Sequence, residues 1–146
     1  MDTVPQLKFE IVWKDPDMME LAITAIKNDF SGKTKIYVQS ERILDLAHKL
    51  EGFPLSNEQT ISYSLGDKQS ESFLGLKFYC INMMMNTAVS IELMDTLMDN
   101  NRREVIESIQ VELKFETQSL IEFLHQLNSI ASKKDGTAIL FGIIPQ

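Results

Sequence analysis

The strongest constraint in this chain is a change of hydrophobic period between Val105 and Ala131. Ile109, Val111, Leu113 and Phe115 alternate with Gln110, Glu112, Lys114 and Glu116. After Thr117-Gln118-Ser119, the apolar positions Leu120, Ile121, Leu124, Leu127 and Ile130 recur at steps of three and four. A period of two describes a strand with one covered face, and a period between three and four describes one stripe of a helix. The stretch is therefore a strand running directly into the helix that covers its apolar side. Ser119 followed by Glu122 has the spacing of a capping box, which predicts the helix start at that point. The odd-even pattern predicts Glu112 and Glu116 on the solvent face of the sheet.

The rest of the chain supplies further strands and one more helix. After a loose start at Met1–Pro5, Leu7, Phe9, Ile11 and Trp13 alternate as far as the turn Asp15-Pro16-Asp17. Met19–Lys27 is ambiguous between a short helix and a strand. It reads as a strand because Asp29–Gly32 then bends the chain back into Lys35–Gln39. Ser40 is placed to cap a helix in which Ile43, Leu44, Ala47 and Leu50 share a face, ended by Gly52 and Pro54. Thr60–Leu65, Phe73–Ile81 and Ala88–Met94 follow as strands on links too short for a parallel crossover. Asp99-Asn100-Asn101 turns into the final long strand, and Lys133–Gly136 ends its helix.

Ala138–Ile144 is almost wholly apolar, and such a run left free would aggregate. It is predicted to pair as a strand, with its own domain first and with a second copy of the chain as the alternative. The order β-β-β-α-β-β-β-β-α-β predicts one α+β domain over residues 1–146, with an antiparallel sheet of about six to eight strands and two helices.

Composition limits the function classes. A chain of 146 residues can bury a core without disulfide or metal staples. Cys80 has no second cysteine to pair with, no leader-like segment opens the chain, and no apolar run reaches the roughly 18 residues of a membrane span. The expectation is a soluble cytoplasmic protein. Lys+Arg 14 against Asp+Glu 21 gives a formal net charge of −7, which repels nucleic acid and anionic membranes and favours a basic protein partner.

Catalytic chemistry finds little to use. The histidines, His48 and His125, fall on helical surfaces without a nucleophile motif beside them. Cys80 sits in an apolar strand and reads as a small core residue. One cysteine and two histidines cannot make a structural zinc site. Asp15, Asp17 and Glu20 lack the loop of a calcium site, and Ser31-Gly32-Lys33-Thr34 lacks the first glycine of a phosphate loop. Met83-Met84-Met85 reads as core filling ahead of an adaptable partner surface. No catalytic, cofactor-binding or metal-binding residue is assigned, and no cofactor is expected.

Carboxylates are the remaining feature. Between Glu92 and Glu122 stand Glu92, Asp95, Asp99, Glu104, Glu107, Glu112, Glu116 and Glu122 against Arg102, Arg103 and Lys114. An acidic sheet face suits docking of something basic. Glu107, Gln110, Glu112 and Glu116 are the predicted contact residues.

The segment Leu113-Lys114-Phe115-Glu116-Thr117-Gln118-Ser119-Leu120 resembles the Phe-Glu-Thr-Asp-Gln-Ser ending that precedes the last helix in the WapI family of bacterial immunity proteins. The Leu7-x-Phe9-x-Ile11 start is also similar, and the element order follows the family across most of the chain. The chain departs from it in lacking the Asp of that motif and in the apolar tail beyond the helix. The resemblance implies stoichiometric occlusion of a toxin domain, often a nuclease with a basic cleft, and carries no catalytic residue. A self-associating adaptor without a toxin is the alternative expectation.

Overall fold

A computed structural model describes residues 4–68, 72–98, 100–101 and 103–144. Met1–Thr3 of the expected loose start, Asp99 of the expected turn, and Arg102 lie outside the described residues. The chain runs β1 (Gln6–Lys14), β2 (Met19–Lys27), β3 (Phe30–Val38), α1 (Ser40–Leu50), β4 (Ile61–Gly66), β5 (Ser72–Cys80), β6 (Thr87–Met98), β7 (Glu104–Phe115), α2 (Thr117–Lys133) and β8 (Thr137–Phe141). This is the predicted order, and the class is α+β. The eight strands are shared between two antiparallel sheets, β3-β2-β1-β8 and β4-β5-β6-β7.

Alternation explains which face each strand buries. Leu7 and Phe9, Leu21 and Ile23, Ile36 and Val38, and Ala138 and Leu140 form the inner face of the first sheet. Tyr63 and Leu65, Leu76 and Phe78, Val89 and Ile91, and Leu113 and Phe115 form that of the second. Both faces join one core with the buried stripes of the helices. Edge-on ring contacts tie the parts together: Phe9 meets Phe123 of α2 at 5.6 Å, and Phe78 lies 5.9 Å from Phe115 and 6.1 Å from Phe53.

Both helices start earlier than the capping signals predict. Glu116 is the N-cap of α2, its carbonyl accepts the Leu120 N–H at 3.3 Å, and no side chain caps the first turn. Phe115 is the last strand residue facing the core, so the chain turns into the helix immediately and Ser119 lies within its first turn. The buried stripe is therefore Leu120, Phe123, Leu124, Leu127, Ile130 and Ala131, and Ile121 faces outward. In α1 the N-cap is Gln39, and Leu46 takes the inward place expected of Leu44. Ser40 is helical and caps nothing; its Oγ is buried with no hydrogen-bond partner.

The bend expected at Asp29–Gly32 is a tighter turn at Asn28-Asp29, where Asn28 has φ 56°, and Ser31 and Gly32 belong to β3. Gly32 stands where a side chain presses on the strand. A Cβ there would meet Cδ1 of Ile109 in β7 at 2.7 Å. Two residues on, Thr34 Oγ1 donates to Asp95 Oδ1 of β6 at 3.1 Å, and Ser72 Oγ of β5 donates to the Lys35 carbonyl at 2.8 Å. Successive residues of β3 thus meet β7, β6 and β5 in turn, so β3 crosses the second sheet instead of extending it.

The tail pairs within its own chain. β8 runs antiparallel to β1 with Leu140 opposite Leu7, and Ala138 and Leu140 are the side chains it buries. Beyond the strand, Gly142 N–H donates to Pro5 and Ile143 N–H donates to Lys114, each at 2.7 Å.

Candidate protein interaction surface

β6 and β7 are each 12 residues long, whereas β5 has 9 and β4 has 6. The described part of β5 begins at Ser72, opposite Asp95, and among the described residues Thr96–Met98 pair with Glu104–Ile106 alone. Since β3 crosses at Asp95 and Ile109, this end of the hairpin projects past the core, among the described residues, as a two-stranded ribbon. It carries Leu97 (46% exposed), Met98 (62%), Val105 (39%) and Ile106 (60%). Four large apolar side chains grouped on one projection differ from apolar residues scattered singly over a surface. Asp95 stands directly opposite Glu107 at the root of the ribbon, and like charges in that position repel.

The free edge of β7 has two different halves. Strand alternation sends the main-chain groups of Glu112 and Lys114 outward, and both carbonyls are taken: Lys27 Nζ donates to Glu112 and Ile143 N–H to Lys114, each at 2.7 Å. Phe115, one residue on, points its carbonyl toward β6, where Thr87 Oγ1 donates to it at 2.6 Å. By the same alternation, Glu104, Ile106, Ser108 and Gln110 point N–H and C=O outward. Among the described residues nothing hydrogen-bonds to the main chain there.

The four predicted contact residues do not form one patch. Gln110 and Glu112 do lie on the outer face of the second sheet. Gln110 Nε2 donates to Ser90 Oγ at 3.4 Å, and the Glu112 carboxylate accepts the Tyr79 hydroxyl. Tyr79 belongs to β5, so its ring spans β6 to reach β7, over Ala88, which is paired with Tyr79 and fully buried. Burial first, and then the hydrogen bond and charge of Glu112, push the Tyr79 hydroxyl pKa well above its ordinary value. Glu107 projects from the opposite face of β7, and Glu116 has left the sheet for the N-terminus of α2, where a carboxylate complements the helix dipole.

Nor is the outer face acidic as expected. Lys68 Nζ pairs with Glu92 at 2.8 Å, and Lys77 and Lys114 share the face with Glu92 and Glu112. Among the described residues the ribbon carries Asp95, Glu104 and Glu107 against Arg103, beside its exposed apolar side chains.

The remaining candidates are ordinary surface features. His48 and His125 are both exposed, the former 3.7 Å from Glu51. Asp15 Oδ1 accepts the N–H groups of Asp17 and Met18 at 2.8 and 2.7 Å, which closes a turn. No group of metal-ligating side chains occurs among the described residues. Cys80 is half-buried. Met83 and Met84 are not core: they are 87% and 83% exposed, on a loop in which Asn82 Oδ1 accepts the N–H groups of Met84 and Asn86 and Met85 takes φ 64°. Among the described residues no helix is long and apolar enough to cross a membrane.

The chain matches no family model, no curated protein and no solved structure at a significant level. Sequence reasoning missed Leu97, Met98, Val105 and Ile106. The signal was present: two adjacent apolar pairs flank the Asn100-Asn101 turn, where a strand with one covered face would alternate.

Proposed function

We propose that this chain is a non-enzymatic binding protein that takes a basic protein partner on the β6–β7 ribbon, and that the partner is a toxin domain neutralised by occlusion. The observation that carries the reading is the exposed quartet Leu97, Met98, Val105 and Ile106, flanked by Asp95, Glu104 and Glu107 on a hairpin projecting past the core. Exposed apolar side chains bordered by charged ones, here on both faces of the ribbon, are common in protein interfaces. The net charge of −7 disfavours nucleic acid and anionic membrane as partners. The resemblance to immunity proteins adds the kind of partner, and a reducing cytoplasm suits the lone Cys80. The self-associating alternative has less support, because β8 already has its strand partner in β1 of the same chain.

The test is co-expression with the product of the adjacent upstream gene. A one-to-one complex that survives purification, together with relief of growth inhibition, is the expected result. Glu104→Lys with Glu107→Lys should weaken capture by about tenfold or more and reduce its salt dependence, whereas Glu116→Lys should change it little. A chain that neither co-purifies nor protects contradicts the reading.

A further inference from the structure

Resting on that reading, we infer that the partner engages by adding an extended strand to the open half of the β7 edge, Glu104–Gln110, so that the second sheet gains a fifth strand. Outward main-chain groups at Glu104, Ile106, Ser108 and Gln110 form a ladder to which no other described residue hydrogen-bonds, and Lys27 and Ile143 close the same edge beyond Gln110. A strand laid along it gains main-chain hydrogen bonds and places alternate side chains over each face of the ribbon. Ile106 and its neighbours on one face, and Leu97 with Val105 on the other, would then be covered from the side.

Charge selects the occupant. The exposed edge reads Glu104-Val105-Ile106-Glu107, acidic-apolar-apolar-acidic, and its complement is a basic-apolar-apolar-basic strand. That pattern is the same in both directions, so charge does not dictate whether the strand adds parallel or antiparallel. A second copy supplies no cation there: antiparallel pairing of two β7 edges must set outward-pointing residues opposite one another, Ile106 on Ile106 with Glu104 on Ser108, which leaves no basic residue opposite either carboxylate. A cationic segment instead meets both carboxylates and lies near the Asp95–Glu107 pair, whose mutual repulsion it would relieve.

The test uses the full chain and a labelled synthetic peptide containing two Lys-Val-Val-Lys repeats. Ser108→Pro removes an N–H that points away from β6, so the hairpin ladder stays complete while the edge loses a donor and gains a ring. Saturable peptide binding is expected, about tenfold or more weaker for Ser108→Pro and unchanged for Ser108→Ala. Peptide N-methylated at alternate residues is expected not to bind the unaltered chain, which decides the matter even where Ser108→Pro unfolds. Equal binding by the methylated peptide, or no binding of the parent peptide, overturns strand addition. So does a chain dimer that Ser108→Pro disperses, because the edge would then belong to a second copy. If strand addition fails while the Glu104→Lys, Glu107→Lys chain still loses its co-expressed partner, the ribbon remains the binding surface and the mode alone is wrong.

Discussion

The two halves of β7 differ in every respect that separates a structural strand from an available one. From Val111 to Phe115 the inward residues sink into the core, the Glu112 carboxylate holds Tyr79, and the outer edge is closed by Lys27 and Ile143. From Glu104 to Ser108 every residue is exposed, the register to β6 is unbroken, and no other described residue closes the edge. Natural sheets guard open edges because they invite pairing. One strand is guarded at one end and, among the described residues, bare at the other, and the bare half is the one proposed as the docking strip.

The largest effect expected from breaking this contrast comes from truncation before Ala138. That removes Ala138 and Leu140 from the core and the Ile143 bond from the closed edge, so the shortened chain should aggregate or melt far below the parent. A soluble truncated chain with an unmoved thermal midpoint would show that the tail plays no part in the fold. Phe115→Ala comes next, at about 3–5 kcal/mol, since the ring is buried and packs edge-on against Phe78. Ile106→Ala, on the same strand, should stay within about 0.5 kcal/mol, as surface substitutions do. Comparable losses in urea unfolding would abolish the distinction between the halves.

Smaller than the Phe115→Ala loss is a pH dependence at the anchored end. The Tyr79 pKa in the fold lies above the 10.0 of the free side chain. Its contribution to stability is therefore complete below pH 10 and is lost as pH rises further. Tyr79→Phe should cost about 1 kcal/mol at neutral pH, the usual worth of one hydrogen bond. The difference between the two proteins should then shrink above pH 10. A gap that stays constant through that range would mean that Tyr79 is not held as described.

The parts of the fold that the sequence made legible are those where one physical demand dominates. The alternation Leu7-Phe9, Leu21-Ile23 and Leu113-Phe115 marks buried faces directly, and the apolar tail had to be paired because nothing else keeps it from aggregating. Helix starts were shifted by a few residues, since Ser40 and Ser119 have cap chemistry but the core positions of Val38 and Phe115 decide where the chain turns. The division into two sheets was hidden because β3 crosses β7, β6 and β5 through contacts at Gly32, Thr34 and Lys35, and no local pattern encodes a crossing. For the candidate site, charge alone could not show that Glu112 and Glu116 are occupied by structural roles while Glu104 and Glu107 stand beside an open edge.

The central claim is that the outward main chain of β7, to which no other described residue hydrogen-bonds from Glu104 to Gln110, becomes a sheet partner on binding. Residue-resolved amide hydrogen exchange tests it, with the chain free and then saturated with the Lys-Val-Val-Lys peptide. Amides of Val105, Glu107 and Ile109, which face β6, should be protected in both states, whereas those of Ile106 and Ser108 should exchange rapidly when free and slow markedly when bound. Protection of Ile106 and Ser108 already in the free chain, or no change on saturation, would contradict the account.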